Sequence, residues 1–231
     1  MTAIIQNLDM QKVNAATAYC IDIWNRAAPA SPDFPHLVEK AANPYSLRSF
    51  GNSVAIALRN RDGNIVNLQF ICSDGCSAFV SDDRIIGNYS SIGAETETVY
   101  FCVDFTTGAS VHEATGCIVV VVCITMNLQP VVEIIQQKYP GKNLIVCADN
   151  DPAATANATV DAAKAIRDKL GIPYVQPVID GEKCNFNDVH RRCGLDEVAR
   201  QLAVMLDSES HTTWMEDFVL DDHQVSKLAN P

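Results

Sequence analysis

Residues 144–157 read LIVCADNDPAATAN. An aliphatic run ends in Asp149-Asn150-Asp151, and a helix-forming segment follows. Two carboxylates one residue apart at a strand end suit a hard cation such as Mg2+. That ion takes oxygen ligands and often shares its shell with waters and substrate phosphates. The same residues also suit a turn or a helix N-cap, where Asp is favoured by its own hydrogen bonding. Spacing alone leaves both readings open. A second candidate is CNFNDVH at 184–190, where Asn187 and Asp188 follow the last expected strand and either reach the same edge or sit in a solvated turn. His112-Glu113 is a third acid/base pair, but adjacent helical residues point apart, which favours a structural role.

These residues need elements to position them. Residues 3–28 read as a helix, with Val13, Ala16, Tyr19, Cys20, Ile23 and Trp24 at three- and four-residue spacing. PASPDFP at 29–35 ends it, because its prolines cannot continue a helix. HLVEKAA at 36–42 reads as a short second helix. SVAIAL and NIVNLQFIC flank Asp62-Gly63, a strong hairpin signal, so residues 51–93 read as a small, mainly antiparallel β unit with a further short strand at 77–80. From residue 98 the pattern alternates: strand TVYFCVDF, helix TTGASVHEATG closed by Gly116, strand CIVVVVCI, helix NLQPVVEIIQQKYPG, strand NLIVCA, a helix over 153–170 and strand IPYVQPVI. This rhythm predicts a parallel sheet with helices on both faces. In such a sheet, ligands bind at the carboxyl ends of the strands, where Asp149 and Asp151 fall. One more helix is expected over 194–207, then a mobile or docking tail from 208.

The chain has 231 residues, 48% apolar and 19% charged, as in a soluble globular protein. Its longest apolar run, CIVVVVCI, is 8 residues, far short of the roughly 20 needed to span a bilayer. The N-terminus has no basic start or long apolar region, so a cytoplasmic location and no membrane partner are expected. The net charge of −11 argues against tight nonspecific grip on DNA, although Arg191-Arg192, Lys138 and Lys142 offer local basic spots. The 9 cysteines are odd in number and lack paired zinc spacing, so reduced thiols are expected, with Cys102, Cys117, Cys123 and Cys147 as small core hydrophobes.

The segments FCVDFTTGASVHEATG, NLQPVVEIIQQKYPGKNLIVCADND and CNFNDVH together resemble the Toprim domain of phage- and plasmid-type DNA primases. Upstream, WNRAAPASPDFPHLVEKAANPYSLR and IVNLQFICSDG resemble the region that precedes Toprim in those proteins. The resemblance spans roughly residues 20–205, without the family's zinc-binding or helicase parts. It implies a glutamate at the end of the first strand, the DxD pair after the third and a later acidic turn, together holding Mg2+ or Mn2+ for nucleotidyl transfer. Asp149 and Asp151 match the DxD, and Asn187-Asp188 match the later turn.

The departures from that pattern are informative. Val103-Asp104 stands where the family has Glu-Gly. Valine binds no metal and moves no proton, and Asp104 is one residue on, a step that flips a strand side chain to the other face. The family's small polar turn after the second strand is here Ile124-Thr125-Met126, and Cys76-Ser77-Ala78 occupies the stretch where a lysine is usual. Four changes at one site imply relaxed selection for primer synthesis.

The expected architecture is α/β: an N-terminal helical arm (1–50), a small β unit (51–97), a Toprim-like parallel sheet with flanking helices (98–193), and a C-terminal helix and tail (194–231). The expected function is that of a degenerate primase-type Toprim protein of a phage or mobile element. It is catalytically impaired and acts as an inhibitor, decoy or adaptor of replication or defence machinery, on a protein partner with a basic surface. A divalent ion is held weakly, or no longer held, by Asp149, Asp151 and Asp188. The alternative is an active Mg-dependent primase using single-stranded DNA and nucleotides, in which Asp104 or Glu113 replaces the missing glutamate. A third reading is a replication subunit that docks a helicase through the 208–231 tail.

Overall fold

Two sheets share one core in the computed structural model, which describes residues 15–151 and 157–204. The first sheet is antiparallel, in the order β1 (Ala28–Pro29), β2 (Arg48–Phe50), β3 (Ser53–Arg59), β4 (Ile65–Cys72), β5 (Ser77–Phe79). The hairpin read around Asp62-Gly63 is the β3–β4 pair, with a register shift between Leu58 and Arg59. Residues 15–26 form helix α1, inside the expected 3–28; residues 1–14 lie outside the described part. Cys20, Ile23 and Trp24 of α1 pack on Ala55, Ala57 and Leu68. Arg48 fastens it by donating from Nη1 to the Trp24 carbonyl at 2.7 Å, with its guanidinium 4.9 Å from the Trp24 ring centre. The expected arm of 1–50 is therefore not helical throughout. It supplies β1 and β2 as well as α2 (Pro35–Glu39), which starts on proline and is shorter than the expected 36–42.

The second sheet runs β10 (Tyr174–Val175), β9 (Asn143–Cys147), β7 (Thr98–Cys102), β8 (Ile118–Val121), β6 (Ser90–Ile92). Its first four strands are parallel, as the alternating pattern predicts. β6, which falls within the stretch read as the small β unit, instead pairs antiparallel with β8 along this sheet's edge. The strands alternate strictly in what they bury. Val99, Phe101, Val120, Leu144 and Val146 face α4 (Leu128–Lys138) and α5 (Ala158–Leu170). Tyr100, Cys102, Val119, Val121, Ile145 and Cys147 face a second core layer. There they meet α3 (Phe105–Thr115), α6 (Phe186–Cys193), α7 (195–204), and Val54, Ile56 and Leu58 of the first sheet. That layer joins the small sheet to the parallel one.

Several boundaries shift from the expected ones. The strand read as 98–105 stops at Cys102, because Asp104 caps α3 and Phe105 is already helical. IPYVQPVI contributes only Tyr174–Val175, two of its residues being proline. CNFNDVH is not a turn. Asn185 and Asp188 form a reciprocal capping box that starts α6. The helix expected over 153–170 is helical from Ala158, and 152–156 lie outside the described residues, as do 205–207 and the tail from 208. Among the described residues, no helix is long and apolar enough to cross a membrane.

Candidate functional site

At the carboxyl end of the parallel sheet the chain leaves β7 and β9 in matching fashion. Cys102 and Cys147 are neighbours on the face towards the small sheet, and their thiols interact. Asp104 and Asp149 each follow by two residues, so the strand period directs both to that face. Val103 keeps the parity of Phe101 and packs against the opposite layer. No bulge is needed to bring Asp104 towards Asp149.

The Asp104 carboxylate is occupied. Oδ1 accepts from the Thr107 amide at 2.8 Å and from Thr106 Oγ1 at 2.7 Å, and Oδ2 accepts from Thr107 Oγ1 at 2.6 Å. Its conformation is that of a helix N-cap, φ −108° and ψ 159°. Asp149 sits in different surroundings. Burial first, then the negative charges of Asp104 and Asp188, push its carboxyl up to about 7, against the opposing pull of Lys183. Asp151 pairs with Lys183 at 3.0 Å. Asp188 accepts from the Asn185 amide at 3.1 Å as half of the capping box. Three carboxylates thus converge, but only Asp149 has oxygens uncommitted to a hydrogen bond or ion pair among the described residues.

The other candidates point elsewhere. Asn187 is 1% exposed and donates to the Lys40 carbonyl at 2.6 Å and to Ser110 Oγ at 3.0 Å, tying α6 to α2 and α3. Glu113 lies in the last turn of α3, roughly 13 Å along the helix from Asp104 by its rise per residue. It accepts from Asn43 Nδ2 at 2.9 Å and from the Tyr45 hydroxyl at 3.0 Å. His112 Nδ1 is 2.7 Å from the Cys117 carbonyl.

The turn after β8 is shaped by apolar residues. Cys123 takes a left-handed φ of 69°, and burial, then Asp104, push its thiol up to about 12, so it stays protonated. Met126 is 78% exposed at this edge. Asn127 is buried, accepting from the Gly87 amide at 2.7 Å and donating to the carbonyls of Asn88 and Val122, both at 2.8 Å.

Sequence reasoning missed His36 and Lys40. They lie one helical turn apart on α2 and line a cleft of about 290 Å3 together with Asp104, Thr106, Ser77 and Asn185. Among the described residues, His36 Nδ1 is a buried ring nitrogen without a hydrogen-bond partner. Desolvation, then Lys40, hold His36 below its usual basicity. The signal was a basic pair at i, i+4 beside Pro35. It brings the Lys40 cation to the wall where β5 presents Ser77.

The divalent ion implied by the resemblance is a poor fit to this donor set. Asp104 spends both oxygens on its helix cap, Asp151 is neutralised by Lys183, and position 103 is aliphatic. Among the described residues, no group of three His, Cys, Asp or Glu side chains is placed to hold a metal.

Residues 98–196 match the Toprim domain family. The chain is 26% identical over 205 residues to DNA primase TraC of Escherichia coli, covering 78% of this chain and 19% of that relative. The chain therefore spans about a fifth of the length of this curated relative. Among solved structures, it resembles the primase fragment of the bacteriophage T7 primase-helicase, with TM-score 0.53 and 12% identity over 73% of this chain and 74% of that one. It also resembles the RNA polymerase domain of Mycobacterium tuberculosis primase DnaG in complex with double-stranded DNA. That match has TM-score 0.52 and 14% identity, over 83% of this chain and 78% of the other.

Proposed function

We propose that this protein is a degenerate primase-type Toprim protein of a phage or mobile element that works in the cytoplasm by binding, as an inhibitor, decoy or adaptor of nucleic-acid machinery. The observation that carries this reading is the commitment of Asp104 to its helix cap beside an aliphatic Val103. A metal-centred nucleotidyl transfer needs carboxylates free to ligate or move a proton, and among the described residues Asp149 is the one carboxylate of the cluster left so. The net charge of −11 favours a protein partner with a basic surface, since complementary charge speeds encounter. The carboxyl-end edge such a partner would meet carries exposed Met126 after β8 and acidic Asp149 and Asp151 after β9.

A second reading has one observation in its favour. Asp104 and Asp188 both act electrostatically on Asp149, as expected of groups that gather around a cation. On that reading Mg2+ or Mn2+ would draw on Asp149, and single-stranded DNA and nucleotides would be the substrates.

The discriminating experiment titrates Mg2+ and Mn2+ into the wild type and Asp149→Ala/Asp151→Ala by calorimetry, with primer synthesis assayed on single-stranded DNA. The binding reading expects no template-dependent product and little difference between the two proteins. Template-dependent products lost in the double variant would overturn it in favour of an active primase.

A further inference from the structure

Away from the carboxylates, at the amino ends of β7 and β8, a cavity of about 170 Å3 opens between the β3–β4 turn, β6 and α4. Its floor is aliphatic, made by the buried side chains of Val99, Val120 and Ile135. Tyr89 and Tyr139 supply its aromatic lining, and the Lys138 ammonium lies 5.3 Å from the Tyr139 ring centre. Arg59, Lys138 and Lys142 bring cations to the rim.

How those cations are held matters. Arg59 donates from Nη1 to the Gly63 carbonyl at 2.9 Å, and Lys138 donates to the Arg61 carbonyl at 2.8 Å. A carbonyl orients an ammonium or guanidinium without cancelling its charge. Of the three, only Lys142 meets carboxylates among the described residues, Glu97 at 3.2 Å and Glu95 at 3.4 Å. Glu95 also lines the cavity and offsets Lys142, so the positive charge of the rim over the apolar slot rests on Arg59 and Lys138 in a chain of net charge −11. The slot is also preformed. Arg59 and Tyr89 exchange backbone hydrogen bonds of 2.7 and 3.0 Å, and the Asn60 side chain accepts from the amides of Asp62 and Asn64.

We propose that this slot binds a small planar ring carrying an anionic group. The ring lies on Val99, Val120 and Ile135 beside the two tyrosines, and the carboxylate or phosphate meets Arg59 and Lys138. Small-molecule sites have this composition, an apolar lining with a few convergent polar groups. Arg and Lys recognise carboxylate and phosphate through charge-assisted hydrogen bonds. The site stands apart from the Asp149 edge and does not rest on whether that edge is catalytic.

The test is calorimetric titration of the full chain with dTMP and with 4-hydroxybenzoate, using thymidine as the neutral control. The expected result is binding of at least one anionic probe and not of thymidine. Lys138→Glu should weaken that binding by roughly tenfold or more, the scale of one lost charge-assisted hydrogen bond, and Asp149→Ala/Asp151→Ala should leave it unchanged. Binding of dTMP alone assigns a phosphate ligand, and binding of 4-hydroxybenzoate alone a carboxylate. Tyr139→Leu and Arg59→Gln are second variants, each checked for an unchanged thermal unfolding midpoint. The proposal is overturned if neither anion binds, or if Lys138→Glu, Tyr139→Leu and Arg59→Gln all bind like the wild type.

Discussion

Asp104 and Asp149 leave adjacent parallel strands on the same face, and burial, then the negative charge of the first, push the carboxyl of the second up to about 7. The two differ in what surrounds them. Asp104 is satisfied by three donors from the first turn of α3, whereas Asp149 is half-buried among like charges. One carboxylate builds the fold, and the other is left with an unfavourable charge at neutral pH.

That imbalance has a pH signature. The Asp149 carboxyl is raised from an ordinary 3.8 to about 7, so its contribution to stability is fully present below pH 4 and is lost as pH rises towards 7. The full shift corresponds to something on the order of 4 kcal/mol. Asp149→Asn should therefore be more stable than the wild type at pH 8 and about equal to it at pH 4. Denaturant unfolding at both values checks this; a wild-type advantage at pH 8 would contradict it.

Asp104→Ala removes the cap of α3 and should cost about 1–2 kcal/mol. Asp104→Asn keeps a capping oxygen and should cost less. Either change removes a negative charge near Asp149, so the Asp149 carboxyl should titrate lower than in the wild type. Carboxyl-carbon NMR across pH 4–9 reads the shift directly.

Asn127 satisfies three backbone groups with one buried amide, tying residues 87–88 to the turn after β8. Replacing it with alanine strands those groups and should cost about 2–4 kcal/mol, more than any exposed substitution nearby. Thermal unfolding of Asn127→Ala against Met126→Ala makes the comparison, because Met126 is largely exposed.

Glu113 holds Asn43 and Tyr45 against the end of α3, and burial, then the hydrogen bond to Glu113, raise the Tyr45 hydroxyl above its ordinary titration range. Glu113→Ala should lower stability by roughly 1–2 kcal/mol and leave any divalent-ion titration as in the wild type. A loss of metal binding in this variant would instead make Glu113 the substitute carboxylate.

Much of the architecture was legible because it rests on local pattern. Short Val- and Ile-rich runs separated by amphipathic segments announce parallel strands and crossover helices, and Asp62-Gly63 announces the β3–β4 turn. Strand ends were less legible. Asp104 ends β7 early because its side chain competes as a helix cap, and the prolines in IPYVQPVI limit β10 to two paired residues. In CNFNDVH, the reciprocal bonding of Asn185 and Asp188 is a capping box, which spacing alone does not separate from a solvated turn or from residues reaching the carboxylate edge.

The sequence by itself determined the inventory: DxD after an aliphatic strand, valine where the resemblance calls for glutamate, and an acidic balance. Those follow from residue type and spacing, which need no partner. Only the tertiary structure decided which groups meet. It brought Asp104 and Asp188 within electrostatic reach of Asp149 and consumed the oxygens of Asp104 in a cap. It also turned Asn187 and Glu113 to distant tethers and carried His36 and Lys40 into the cleft from an early helix. Each of these depends on contacts between residues far apart in the chain, where burial and competing hydrogen bonds, not sequence spacing, set the charge and availability of a side chain.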